Sequence, residues 1–341
     1  MVKIVECVPN FSEGRNQSVI DSIANSAMGI TGARVLGVEP DPDYNRTVLT
    51  IAGEPGAVVQ AAFNVIKTSF ELIDMKVHEG EHPRIGAVDV CPFVPIQNST
   101  MDECVELAKA LGNRVVEELD LPVFFYGSAA SNIERELLSD LRKGEYESLK
   151  ERYRNGGPLL PDIGPKDYNE NVEKFGAVVI GARGILVAYN VNLDEKDALV
   201  SKLAGTIVRS SGRLIKNDSG GKLRIKGMLE MVQGMGLPLE AHGISQVSMN
   251  LRDVNITPMH VAYEAVKSIA KDHGVDTCGS ELVGLVPLST MLEAGKWYDK
   301  SENPTEEDLV SSAISGLGLE FLSPFDPNVR IIEWAIRGES K

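Results

Sequence analysis

Between His78 and Arg84 the chain reads His-Glu-Gly-Glu-His-Pro-Arg. The glycine and proline in this stretch oppose the structure that its histidines suggest. H-E-x-x-H on a helix puts two imidazoles one turn apart on one face, where they bind zinc. Here Gly80 sits inside that turn, at a cost of about 1 kcal/mol relative to alanine. Pro83 follows His82 directly, and a residue before proline is pushed out of the α region. The extended zinc motif needs a further glycine and histidine, and in register those positions hold Ile85 and Val88. The segment therefore reads as a stiff loop presenting His82, with no metal. A zinc peptidase with a distant glutamate as third ligand is the weaker alternative.

The rest of the chain alternates strand and helix patterns. Residues 2–9 read as a strand ended by Pro9, and residues 16–28 carry apolar side chains at helical spacing. Strands are expected over 33–39 and 46–52, around the turn Pro40-Asp41-Pro42-Asp43. Helices are expected from Pro55 to about Met75 and over 100–118, the second capped by Ser99 or Thr100. An apolar stretch over 87–94, a short strand over 122–126 and helical segments to about Arg154 complete the first half. Asn155-Gly156-Gly157-Pro158 breaks the pattern. In the second half, strands are expected over 177–180, 185–191, 244–251 and 281–288, helices over 194–211 and 258–273, and a flexible loop at Ser219-Gly220-Gly221-Lys222. That order suggests a compact sheet with helices on one face.

A chain of 341 residues is long enough for two domains. The formal net charge of −15 argues against nucleic acid and against anionic membranes, both of which select clustered Lys and Arg. It leaves room for an anionic small substrate in a locally basic pocket. No apolar run approaches the ~20 residues that span a bilayer, and no signal peptide is expected at the N-terminus. Cys7, Cys91, Cys104 and Cys278 are widely spaced and read as free thiols, which places the protein in the cytoplasm.

Among five histidines, His82 has the most chemical surroundings: a carboxylate before it, a proline after it and Arg84 two residues on. Imidazole is the usual side chain for taking a proton from an amine at neutral pH. Asn45-Arg46 reads either as turn closure or as a fork for a substrate carboxylate, which arginine suits by its planar geometry. Neither Gly220-Gly221-Lys222 nor Gly234-x-Gly236 completes a phosphate or dinucleotide loop.

Several blocks of sequence are more specific than these local readings. They are Val5-Glu6-Cys7-Val8-Pro9-Asn10-Phe11-Ser12-Glu13-Gly14, Asn45-Arg46-Thr47-Val48 and Gly80-Glu81-His82-Pro83-Arg84 leading into Asp89-Val90-Cys91-Pro92-Phe93. Met101-Asp102-Glu103-Cys104, Gly181-Ala182-Arg183, Leu282-Val283-Gly284-Leu285-Val286-Pro287 and Pro324-Phe325-Asp326-Pro327 follow. In these blocks, and over nearly its whole length, the chain resembles the glutamate formimidoyltransferase family, the formiminotransferase part of the bifunctional formiminotransferase-cyclodeaminases of histidine breakdown.

The resemblance implies an α/β fold of the α+β type, with two subdomains at 1–178 and 179–341. Each would be a mixed or antiparallel sheet with helices packed mainly on one face, and the protein would form a homodimer. It implies transfer of a formimidoyl group between tetrahydrofolate and L-glutamate, with His82 as general acid/base and no metal required. Folate would lie against the segment Gly164, Pro165, Lys166, Asp167, Tyr168, Phe175 and Gly176. Asn10, Glu39, Asn45, Arg46, Arg84 and Asp89 are candidates for holding glutamate, Glu39 or Asp89 also for orienting the imidazole. With the chain ending soon after Pro327, transfer is expected without the deamination step. Formyl transfer from 5-formyltetrahydrofolate and folate binding without turnover are the remaining alternatives.

Overall fold

The computed structural model describes residues 2–157, 160–216 and 221–338. The chain divides into two compact units, Met1–Gly184 and Ile185–Lys341. The sequence reading put the boundary at 178/179. It falls later because the strand Val178–Ala182 is hydrogen-bonded between two strands of the first unit.

The first unit is a mixed sheet. Its strands are β1 (Ile4–Cys7), β2 (Asn10–Phe11), β3 (Ala33–Asp41), β4 (Arg46–Gly53), β5 (Val88–Gln97), β6 (Val123–Gly127) and β7 (Val178–Ala182). β3 pairs with β4, and β1 and β2 share the lane between β4 and β5. Pro9, which lacks an N–H, separates β1 from β2. β7 lies between β5 and β6, parallel to both.

The period of two along each strand sorts residues to the two faces. Val5, Cys7, Phe11, Leu49, Ile51, Phe93, Phe125, Val178 and Ile180 join one buried core with helices α1 (Gln17–Ser26), α2 (Pro55–Leu72) and α3 (Met101–Leu119). Burying one such Phe or Ile contributes roughly 1.5–3 kcal/mol. The caps follow the sequence closely. Pro55 opens α2, and Thr100 and Glu103 close a capping box on α3.

The opposite face is covered over β5, β6 and β7. There Val90, Phe124, Tyr126 and Val179 pack with Ile85 and with Leu141 and Leu149, from the short helices α4 (Leu138–Leu141) and α5 (Leu149–Asn155). Helix α6 (Glu170–Phe175) precedes β7. Across β3, β4, β2 and β5, Glu39, Val48, Asn10 and Val90 are register partners in one row.

The second unit holds an antiparallel sheet ordered β11-β12-β8-β13. The strands are β8 (Val187–Leu193), the hairpin strands β9 (Arg213–Lys216) and β10 (Lys222–Ile225), β11 (Val232–Leu239), β12 (Ile244–Leu251) and β13 (Thr277–Val283). Val187, Tyr189, Val191, Val247 and Met249 form its core with α7 (Leu199–Val208), α8 (Met259–Asp272), α9 (Leu288–Tyr298) and α10 (Glu306–Leu317). Helix α7 is shorter than expected, and β13 begins and ends a few residues earlier. Of the expected flexible loop at 219–222, Ser219 and Gly220 lie outside the described residues, and Lys222 starts β10. Both units thus have the expected build of a sheet with helices mainly on one face. Among the described residues no helix is long and apolar enough to cross a membrane.

Candidate active site

Residues 78–87 form no helix, as Gly80 and Pro83 require. Gly80 is there because of a close approach. A Cβ on it would stand 2.5 Å from the Tyr44 carbonyl oxygen and 2.7 Å from Asn45 Cβ. The His loop therefore lies directly on the turn between β3 and β4. Asn45, at φ 49°, fastens the two together. Its side chain donates to the Glu79 carbonyl at 2.7 Å and accepts from the Gly14 N–H at 3.0 Å. Asn45 is thus a buried brace for the loop.

His78 and Arg84 lock the loop from within. His78 Nδ1 accepts from Arg84 Nε at 3.3 Å, and Nε2 lies 3.1 Å from the Asn45 carbonyl oxygen. Together these contacts select the Nε2–H tautomer of a neutral ring. Burial also pushes the His78 pKa down. With Nδ1 facing a guanidinium, the two imidazoles do not form a metal pair, and no metal-binding cluster occurs among the described residues.

Arg84 departs from its expected use as a substrate fork. Its guanidinium donates to Glu145 at 3.0 Å and to both oxygens of Glu147 at 2.7 and 2.9 Å, and to the His78 carbonyl. Its side chain is only 7% exposed. A buried arginine so fully paired anchors the loop, and its donors are already spent on Glu145, Glu147 and His78.

His82 is half-buried. Its backbone N–H donates to the Tyr44 carbonyl at 3.4 Å, and the Tyr44 ring stands edge-on at 6.4 Å between centroids. Among the described residues no hydrogen bond reaches its imidazole. Burial lowers its pKa to about 4, helped by the cations Arg142, Arg46 and Arg84 and opposed by Asp41. The imidazole is thus neutral at pH 7, with a lone pair free to accept a proton.

Arg46 shares the open sheet face with Asn10 and Glu39. Nη1 is 3.5 Å from Asn10 Oδ1, a weak contact, and the buried Nε has no partner. No carboxylate pairs with it among the described residues. An unneutralised cation with an orphan donor beside a neutral imidazole suits a carboxylate ligand. Glu39 is exposed on the same face. Asp89 is not against His82 as expected. It is 1% exposed, accepts from the Ile85 N–H at 3.0 Å and pairs with Arg142, a residue the sequence reading missed.

The segment 164–176 is stitched to the same structure. Gly164, at φ +116°, packs on the Leu121 carbonyl, where a Cβ would stand at 2.7 Å. The Pro165 carbonyl accepts from Tyr153 at 3.2 Å, and the Tyr168 ring meets Tyr153 edge-on at 5.8 Å with Lys150 over its face. Lys166 and Asp167 are exposed. Phe175 is different. It is wholly buried in the helix-side core against Phe70, so its ring offers no surface to a ligand. Gly176 is required by backbone contact, since a Cβ there would meet the Ile85 oxygen at 2.3 Å.

Fold and site together define a two-unit α+β protein whose glycine–proline loop presents a neutral histidine among arginines. The pattern of the formiminotransferase domain, N-terminal subdomain, matches residues 4–183, and that of the formiminotransferase domain matches residues 188–337. The chain is 43% identical over 339 residues to formimidoyltransferase-cyclodeaminase of Rattus norvegicus, covering 98% of this chain and 60% of that protein. It is 38% identical over 303 residues to glutamate formimidoyltransferase of Streptococcus pyogenes serotype M1, covering 89% and 95%. With the same enzyme of Thermoplasma acidophilum the identity is 40% over 299 residues, covering 87% and 92%. The chain belongs to the formiminotransferase family. It spans about 60% of the length of the cyclodeaminase relatives that it matches.

Proposed function

We propose that this chain transfers a formimidoyl group between 5-formimidoyltetrahydrofolate and L-glutamate, as a cytoplasmic homodimer serving histidine degradation and one-carbon metabolism. The names of its relatives support the reaction class. The observation that carries the mechanism is the neutral, half-buried imidazole of His82 among three arginines.

Glutamate binds with a carboxylate on Arg46, its amine toward His82. The amine nitrogen bonds to the formimidoyl carbon, and His82 takes the proton that nitrogen sheds. The carbon–N5 bond of the folate then breaks, and His82 returns its proton to N5. Tetrahydrofolate leaves, and the reverse path uses the same proton positions. Side chains such as Lys166 and Tyr168 contact the folate. No metal is needed, because the protonated amidine is itself the electrophile.

The test is incubation with 5-formimidoyl- and 5-formyltetrahydrofolate in parallel, scored by the mass of the glutamate product. The reading expects N-formimidoylglutamate at the higher rate. Exclusive formation of N-formylglutamate, or no product from either donor, would overturn it.

A further inference from the structure

The reading above gives glutamate one arginine, yet the acceptor has two carboxylates. Arg84, expected as the second, is occupied by Glu145 and Glu147. Arg142, which caps the end of α4, has the features that Arg84 lacks. Its side chain is 19% exposed, against 7% for Arg84. Its Nε and Nη2 are spent on Asp89, while Nη1 carries no hydrogen bond among the described residues. Asp89 is buried on β5, and the same carboxylate accepts the Ile85 N–H. One buried group thereby fixes both the loop that carries His82 and the guanidinium of Arg142.

We infer that Arg142 is a second substrate-orienting arginine beside His82, and that Asp89 is the positioning residue that aims it. The inference rests on the proposed glutamate transfer. Four charged groups act on the imidazole: Arg46 from β4, Arg84 from its own loop, Asp41 from the end of β3 and Arg142 from α4, the last most strongly. Arg46 and Arg142 are the two with donors to spare, so together they can hold both carboxylates of the acceptor. That arrangement selects a dicarboxylic amino acid over one with a single carboxylate.

The test varies each substrate in turn for the wild type, Arg142→Lys, Arg142→Met and Asp89→Asn. Arg142→Met is expected to raise KM for glutamate about 10-fold or more, the loss of a charge-assisted contact, with KM for the folate donor within twofold. Arg142→Lys keeps the charge and the pair with Asp89 without the planar fork, and is expected to recover part of that loss. Asp89→Asn shifts glutamate KM in the same direction by less. If Arg142→Met fails to fold, as thermal unfolding would reveal, Arg142→Lys and Asp89→Asn carry the test. Glutamate KM unmoved in the variants that fold, or donor KM rising as far, overturns the inference while the functional reading stands. A wild type that transfers nothing overturns the reading, and this inference with it.

Discussion

The His82 loop and the segment 164–176 are both held by glycines, but for different ends. In the loop, Gly80 lets the backbone touch the β3–β4 turn, and Asn45, His78 and Arg84 fix the backbone that carries one neutral imidazole. In the segment, Gly164 and Gly176 let the backbone pack on Leu121 and on Ile85, while Lys166 and Asp167 project into solvent. In the proposed function the first region is preorganised around one side chain, and the second serves as a folate edge with several replaceable contacts. Preorganised proton transfer concentrates its effect in one residue. A ligand edge spreads it over many.

The steepest test of that difference is His82→Ala. Loss of a positioned acid/base is expected to cut turnover on the order of 10²–10⁴-fold, with the unfolding temperature close to wild type, because the half-buried ring makes no hydrogen bond among the described residues. Steady-state rates and a thermal melt on the same sample check it. Next is Gly80→Ala. The added methyl meets the Tyr44 oxygen, so the loop must shift at a cost of about 1–3 kcal/mol. Turnover should fall by an order of magnitude or more, and the melting temperature should fall too, unlike in His82→Ala. Arg46→Met should raise KM for glutamate by about 10-fold, leaving a site that still binds folate. Smallest of all, Lys166→Ala should raise the donor KM only a few-fold, roughly what one exposed contact contributes. A larger effect at Lys166 than at Arg46 would reverse the contrast drawn here.

The loop was legible in the sequence because its constraints are local. A glycine, a proline and their neighbours decide helix or loop within a few residues, and Thr100 and Pro55 marked helix starts by equally local chemistry. What was misread depends on distant partners. Arg84 reads as a free fork until Glu145 and Glu147 arrive from about sixty residues away, and Arg142 carries no local signal at all. Phe175 falls among the expected folate contacts because the resemblance assigns the whole segment 164–176 to folate, yet tertiary packing seats its ring against Phe70. Strand β11 was missed because Gly234, Gly236 and Pro238 argue against a strand. It is an edge strand, where proline is tolerated, and a Cβ on Gly236 would stand 2.1 Å from the α7 backbone.

The burial of His82 also has a consequence for stability. The unfolded chain protonates its histidines near pH 6.5, whereas folded His82 resists protonation until about pH 4. Between those values the unfolded state binds more protons, so His82 makes the fold less stable as pH falls through that window. His78, lowered in the same direction, adds to the trend.

The central claim is that His82 works as a neutral base held so by burial and by arginines. An NMR titration of the His82 imidazole in the unliganded protein tests it most directly. The account predicts a ring that stays neutral from pH 7 down past 6 and titrates near pH 4, with that signal absent in His82→Ala. A midpoint near pH 6.5, where an exposed histidine titrates, would contradict it.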